Sequence, residues 1–172
     1  ARRPRRRIQV CARQRLLPQL TTLRIENGRV TGVETDKGSV EADVVINAGG
    51  MFAGEIGRLA GVNVPVIPMA HEYLITKPSG VPLDVPTMRD PSLLVYFRGE
   101  SGGLVMGGYE PNPQGWVTGD IPENWEFRLF DDDYDHFGQH LEQAIARIPA
   151  LAEVGVKQMI NGAESFTPDG NF

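Results

Sequence analysis

The 172-residue sequence lacks several features that mark particular protein classes. Its single cysteine, Cys11, excludes an internal disulfide and fits a reducing compartment. No apolar run approaches the ~20 residues needed to cross a bilayer, so a membrane-spanning helix is not expected. No G-x-G-x-x-G follows a strand-like segment, so the usual pyrophosphate-binding turn is missing. The hydrophobic content of 41% is nevertheless that of a globular domain.

Acidic residues are absent from the first 25 positions, which hold eight arginines. The rest of the chain has nine basic residues against all 22 acids, a net charge of −13. A body this acidic repels phosphate backbones, so we expect no nucleic-acid partner. The basic arm, residues 1–22, is open to four interpretations: a disordered tail, part of a targeting peptide, a nucleic-acid-binding arm, or a non-native stretch.

Short-range signals predict a small meander followed by an α/β element. The pair Asn27-Gly28 and the segment Asp36–Gly38 are turn sequences between alternating strands. Val44–Ile46 is an unbroken apolar run, typical of a strand buried on both faces of a parallel sheet. A glycine turn follows at Asn47–Gly50, then a helix from about Met51 to Ala60 that Gly61 ends. The turn could cradle a phosphate, or its small residues could simply allow close packing.

The second half predicts strands and one long helix. Strands are expected at 66–76, 93–98, 103–108 and 154–160. The helix should run from Asp131 to Ile148, with its first aspartates as cap and first-turn charges. Its expected buried stripe is Tyr134, Phe137, Leu141, Ile145 and Ile148.

Two polar groups stand out as candidate sites. Alternation places His71 with Met69, Tyr73 and Ile75 on one strand face, and Tyr96 with Leu94 and Arg98 on another. If these strands are neighbours, His71 and Tyr96 share a cavity suited to proton handling, although a buried histidine and a core tyrosine are the commoner outcome. His136 and His140 have a chelating i, i+4 spacing but flank the apolar stripe, so we expect no metal site.

Five motifs occur in one order and together resemble a known family. They begin at Val44 (VVINAGGMFA), Pro68 (PMAHEYL), Leu94 (LVYFR), Gly107 (GGYEPNP) and Asn161 (NGAESFTPDGN). The chain resembles the dimethylglycine/sarcosine dehydrogenase and oxidase branch of the D-amino-acid-oxidase-like flavoproteins. Phe52 departs from the tryptophan that is frequent in that family.

The resemblance implies FAD as cofactor and oxidation of an N-methylated glycine, dimethylglycine or sarcosine, by hydride transfer to the flavin. It implies catalytic roles for His71 and Tyr96 and substrate contacts for Arg98 and Tyr73. The cofactor contacts that it implies are Ala48, Gly49, Gly50, Thr167, Pro168, Asp169 and Gly170.

The expected fold class is α+β, a mainly antiparallel substrate-domain sheet with helices plus part of a Rossmann-like FAD domain. The expected segments are a disordered or non-native arm (1–22), a meander with a partial FAD-binding portion (23–65), a substrate-binding domain (66–160) and the start of a C-terminal FAD-contacting loop (161–172). We therefore expect a piece of an oxidoreductase that alone binds FAD weakly or not at all and is inactive.

The alternative is a non-catalytic α+β module that binds a small ligand or a partner. An exposed sheet edge in such a module would invite self-association by strand pairing. The expected location is the cytoplasm, or the mitochondrial matrix in a eukaryote.

Overall fold

The computed structural model describes residues 18–169, which fall into two compact units. The first unit comprises residues 18–67, 117–127 and 165–169, and the second comprises 68–116 and 128–164. Within the described residues, no helix has the length and hydropathy needed to span a membrane. Cys11 and most of the basic arm lie outside this range, as does Gly170.

The first unit begins with the predicted meander. Strands β1 (Leu20–Glu26), β2 (Arg29–Thr35) and β3 (Gly38–Glu41) pair in that order, antiparallel. Asn27 and Gly28 have φ of 52° and 75°, the positive values that a two-residue type I′ turn requires. The predicted boundary at residue 22 is wrong, because β1 already starts at Leu20 and the Gln19 carbonyl accepts a hydrogen bond from the Asp36 N–H.

The prediction of a buried central strand at Val44–Ile46 is wrong for this chain. These residues form no strand, and Val44 and Ile46 are 71% and 83% exposed. An unbroken apolar run is buried on both faces only when strands pair with it on either side. No strand among residues 18–169 does so.

The glycine turn after this segment leads into a short helix, as predicted. A 3-10 helix (Gly50–Phe52) precedes α1 (Ala53–Leu59), and Gly61, at φ 68°, follows its end. The Asn47 side chain ties the turn together, since Oδ1 accepts from the Gly49 N–H and Nδ2 donates to the Ala53 carbonyl. These two hydrogen bonds therefore hold the turn in a defined conformation before α1.

The second unit is built around a six-stranded sheet. Its strands are β4 (Ile67–Thr76), β5 (Met88–Asp90), β6 (Val95–Glu100), β7 (Gly103–Gly108), β8 (Gln114–Gly115) and β9 (Val156–Phe166). The order is β5-β6-β7-β4-β8, with β9 also paired to β4. The four pairs along that order are antiparallel, so the α+β prediction with a mainly antiparallel sheet is confirmed. The last strand is longer than predicted and continues to Phe166.

One face of this sheet carries the hydrophobic core. Leu74, Met106 and Phe97 are cross-strand partners on β4, β7 and β6, and all three are buried. Helix α2 (Tyr134–Arg147) packs on β6 and β7 and contributes Phe137 and Ala144 to the same core. The core therefore lies between α2 and one face of the sheet.

Helix α2 begins at Tyr134, three residues later than predicted, and buries a somewhat different face. The Asp133 side chain accepts a hydrogen bond from the His136 N–H at 2.9 Å, the predicted cap. Its buried residues are Phe137, His140 and Ala144, with Leu141, Ile145 and Ile148 partly buried against the core. Tyr134 is exposed, so the predicted stripe is wrong at that residue.

Candidate functional site

The sheet face opposite the core carries a row of polar and aromatic residues. Tyr73 on β4 and Tyr96 on β6 are both cross-strand partners of Gly107 on β7, and Arg89 on β5 is the next partner of Tyr96. We call Arg89, Tyr96, Gly107 and Tyr73 the tyrosine face. The sequence hypothesis that His71 and Tyr96 share a cavity required their strands to be neighbours. They are not neighbours, because β7 lies between β4 and β6.

Gly107 nevertheless allows Tyr96 to reach across the intervening strand. A Cβ at residue 107 would collide with the Tyr96 hydroxyl and with ring atoms Cζ and Cε1. The Tyr96 ring therefore lies over the bare backbone of β7 and extends toward β4. A glycine at this position is required by the close approach of a side chain, a role that glycine often has within strands.

Burial and nearby negative charge raise the pKa of Tyr96 above its ordinary value. Desolvation is the largest cause, followed by the charge of Glu164 and by the neighbouring Tyr109 and Tyr73. The rings of Tyr96 and Tyr109 meet edge to face at 6.1 Å between centroids, and the Arg89 guanidinium lies 4.3 Å above the Tyr109 ring centroid. Tyr96 is thus held neutral, with its hydroxyl able to donate a hydrogen bond.

His71 lies on β4 between two carboxylates. Its Nε2 is 3.6 Å from Glu164 Oε2, and its Nδ1 is 3.7 Å from Glu110 Oε1. Alternating burial along β4 confirms that His71, Tyr73 and Ile75 share one face, while Glu72, Leu74 and Thr76 share the other. Glu164 lies beside His71 and its charge also raises the pKa of Tyr96, so the same acid influences both predicted catalytic residues.

A second polar group joins three separate segments. Glu72 on β4, Glu110 just after β7 and His136 in α2 each offer one ligand atom, and these atoms all lie within 4.8 Å of one another. We call these three residues the carboxylate cluster. His136 Nδ1 accepts from the Gln114 amide at 3.1 Å, which leaves Nε2–H to donate to Glu110 Oε2 at 2.6 Å.

Protonation in the carboxylate cluster is shifted by burial and by proximity. Burial first, and then the charge of Glu110, raises the pKa of Glu72 to about 7. The hydrogen bond to Glu110 raises the pKa of His136 above its ordinary value. His140, buried beside Gly108, has its pKa lowered by desolvation. The expectation that both histidines merely flank an apolar stripe is therefore wrong, because His140 is buried and His136 contacts a buried carboxylate.

The predicted cofactor residues belong to the first unit, apart from Gly170, which lies outside the described residues. Ala48 and Gly50 are exposed, whereas a Cβ on Gly49 would lie 2.5 Å from Ile56 Cδ1. Packing against α1 is therefore sufficient reason for the glycine at 49. Thr167 is partly buried, and Pro168 and Asp169 are exposed.

The proposed substrate residue Arg98 is exposed and pairs with Glu100 at 3.1 Å, whereas Arg89 lies directly beside Tyr96. Sequence reasoning missed Arg89, Gly107, Glu110 and Glu164. Arg89 sits on a three-residue strand too short to show alternation. The other three are recognised only once the strand order is known.

Comparison with known proteins decides the family. The profile of the family described as "FAD dependent oxidoreductase" (DAO) matches residues 15–172. The chain belongs to this family. The family match begins at residue 15, within the arginine-rich segment 1–22. At least residues 15–22 of that segment therefore match this FAD-dependent oxidoreductase family.

Three mouse proteins are similar in sequence. Mitochondrial sarcosine dehydrogenase is 43% identical over 141 residues, covering 82% of this chain and 15% of the relative. Mitochondrial dimethylglycine dehydrogenase is 33% identical over 159 residues, covering 87% and 18%. The mitochondrial pyruvate dehydrogenase phosphatase regulatory subunit is 36% identical over 149 residues, covering 84% and 17%. The chain thus spans less than a fifth of the length of each.

Among solved structures, L-proline dehydrogenase from P. horikoshii superposes with a TM-score of 0.68 at 24% identity. The match covers 89% of this chain and 39% of that one. This likeness shows that the matched part of the chain shares the fold of the corresponding part of that protein.

Proposed function

We propose that this chain supplies the substrate-facing sheet of an FAD-dependent oxidoreductase that oxidises N-methylated glycines, sarcosine or dimethylglycine. The observation that carries the proposal is the family membership, together with 43% identity to a sarcosine dehydrogenase over most of this chain. The tyrosine face supports it, because its two tyrosines and its arginine lie on one side of the sheet, and His71 lies on the same face of β4 as Tyr73. A fold alone does not specify an activity, so the proposal depends on this group of side chains.

His71 is proposed to face the substrate amine and assist its deprotonation. Glu164 and Glu110, on either side of its ring, fix its orientation. Tyr96 would hold the substrate through its hydroxyl, which reaches over Gly107. Tyr73 would contact the substrate next to Tyr96, on the other side of Gly107.

Arg89 is a better candidate than Arg98 for the substrate carboxylate. It borders Tyr96, whereas Arg98 is engaged with Glu100. A guanidinium presents a planar fork of donors that matches a carboxylate.

In the complete enzyme, FAD supplies the hydride acceptor. Ala48–Gly50 and Thr167–Gly170 would contribute contacts to it without holding it alone. The exposed run Val44–Ile46 would pair with strands of the dinucleotide-binding part. The 172-residue chain by itself should therefore bind FAD weakly or not at all and be inactive. The location would be mitochondrial in a eukaryote, as the names of the relatives state for those proteins, and cytoplasmic otherwise.

An exchange experiment tests the proposal. The 141-residue matching segment of mouse sarcosine dehydrogenase is replaced by the corresponding segment of this chain. We expect the exchanged enzyme to bind FAD and to reduce an artificial dye in the presence of sarcosine or dimethylglycine, while the isolated chain shows no such activity. An exchanged enzyme that retains FAD but oxidises neither substrate would refute the proposal, and activity of the isolated chain would refute the predicted dependence on the larger protein.

Gly107→Ala provides a more specific prediction in the exchanged enzyme. The new methyl group collides with the end of the Tyr96 side chain, so Tyr96 must move while the strand remains paired. A small misplacement of a positioning group can cost about 10²-fold in rate. We expect kcat/KM to fall by about 10²-fold and to match that of Tyr96→Phe. Gly119→Ala is the matched control, because a Cβ at residue 119 meets nothing within 4 Å. It should leave kcat/KM unchanged.

A second candidate function is a non-catalytic partner-binding module. One relative is named a regulatory subunit of a phosphatase, which shows that proteins similar to this chain carry names other than oxidoreductase. Under this alternative the exchanged enzyme would be inactive with FAD bound, whereas the main proposal requires turnover.

A further inference from the structure

The carboxylate cluster buries two carboxyl groups close together, and the ring nitrogens of His71 and His136 lie within 4.0 Å of one of them, Glu110. Glu72 is 1% exposed, and the Glu110 side chain is 3% exposed. Among residues 18–169, no lysine or arginine lies within 4.0 Å of either carboxylate. Buried carboxylates are normally paired with a cation or coordinate a metal, because an isolated buried charge costs several kcal/mol.

Three carboxylate oxygens of the cluster also lack hydrogen bonds. These are both oxygens of Glu72 and Oε1 of Glu110. The Asp133 backbone N–H lowers the Glu72 pKa slightly but forms no hydrogen bond of ordinary geometry. Buried acceptors left without a donor are rare, and an unobserved ion is one of the standard explanations.

The spacing of the donor atoms fits one small cation. Donors bound at 2.0–2.4 Å from a common ion lie at most about 4.8 Å from one another. The ligand atoms of Glu72, Glu110 and His136 meet this limit. They come from β4, the segment after β7 and α2, so a bound ion would tie the sheet to the helix that covers its core.

We infer that Glu72, Glu110 and His136 form a binding site for a divalent transition-metal cation, Zn²⁺ or Mn²⁺. Two carboxylates with one imidazole are donors for these ions, while Mg²⁺ prefers oxygen donors and water. On binding, the neutral His136 ring changes tautomer: the Nε2 proton passes to solvent while Nδ1 takes one up, so the ring keeps one proton and the Nε2 lone pair is free for the ion. Gln114 can then accept from Nδ1–H through its amide oxygen, the usual outer-shell support of a metal-bound histidine. This inference reverses the expectation of no metal site and does not rest on the proposed function.

Titration of the 172-residue chain with ZnCl₂, MnCl₂ and MgCl₂ tests the inference by calorimetry, with folding monitored by circular dichroism. We expect saturable binding of one Zn²⁺ or Mn²⁺ per chain, with weak or no binding of Mg²⁺. Glu72→Gln, which keeps the shape of the side chain, and His136→Gln should each weaken binding at least about tenfold. Glu142→Gln makes the same chemical change on the exposed side of α2 and should bind as the parent chain does.

Two results would overturn the inference. One is the absence of saturable binding of Zn²⁺ and Mn²⁺ to the folded parent chain. The other is binding that Glu72→Gln and His136→Gln both leave unchanged, which would place the ion elsewhere, for example at Cys11. If one variant fails to fold, the other decides the outcome.

Discussion

His71→Ala is expected to lower kcat/KM of the exchanged enzyme for sarcosine by about 10²- to 10⁴-fold, the usual contribution of a positioned acid–base group. His71 sits on the rigid strand β4, and its two ring nitrogens face Glu110 and Glu164 at 3.7 and 3.6 Å. Alanine removes the imidazole that is proposed to assist deprotonation of the substrate amine, and no other residue on this face of β4 carries one. Steady-state dye reduction at several sarcosine concentrations measures the effect.

Two controls separate this chemical effect from a loss of structure. The FAD content of the His71→Ala enzyme should equal that of the unsubstituted enzyme, because His71 is not among the proposed cofactor contacts. Ser79→Ala, a conservative change at an exposed residue beyond β4, should leave the rate unchanged. A His71→Ala enzyme with full FAD content and a rate within threefold of the parent would remove His71 from the proposed mechanism.

Phe97→Ala is expected to lower the free energy of unfolding of the chain by about 3–5 kcal/mol, the cost of truncating a buried phenylalanine. Phe97 is 2% exposed and lies in the cross-strand row with Leu74 and Met106, under helix α2. Its removal leaves a cavity at the centre of the core that β-strands cannot close by moving, since their backbone bonds fix their spacing. Urea denaturation followed by circular dichroism measures the loss.

The same substitution at an exposed position is the matched control. Phe127 is 88% exposed, so Phe127→Ala should change the free energy of unfolding by less than about 0.5 kcal/mol. Equal effects of the two substitutions would contradict the assignment of the core.

Local sequence signals were sufficient wherever the structure depends on neighbouring residues. The Asn27-Gly28 turn, the Asp133 cap of α2 and the alternation along β4 were all predicted and are confirmed. Each follows from backbone preferences or from side chains within four residues. The family resemblance, drawn from five motifs, is confirmed by the match to residues 15–172.

Features that depend on strand order could not be predicted. Nothing local shows that β7 lies between β4 and β6, so the role of Gly107 beneath Tyr96 was missed. The carboxylate cluster joins positions 72, 110 and 136, which no sequence window contains. The prediction of a strand at Val44–Ile46 was wrong for a related reason. An apolar run of this kind forms a buried strand only beside other strands, and residues 18–169 provide none next to it.

The central claim is that this chain forms the substrate-facing part of an N-methylglycine oxidoreductase, and anaerobic reduction of the flavin in the exchanged enzyme tests it most directly. Rapid mixing with substrate, followed by the visible flavin absorbance, reports hydride transfer without any later step. We expect sarcosine or dimethylglycine to bleach the flavin, while glycine, which lacks the N-methyl group, leaves it oxidised. A flavin that stays oxidised with both methylated substrates, in an enzyme with full FAD content, would contradict the account.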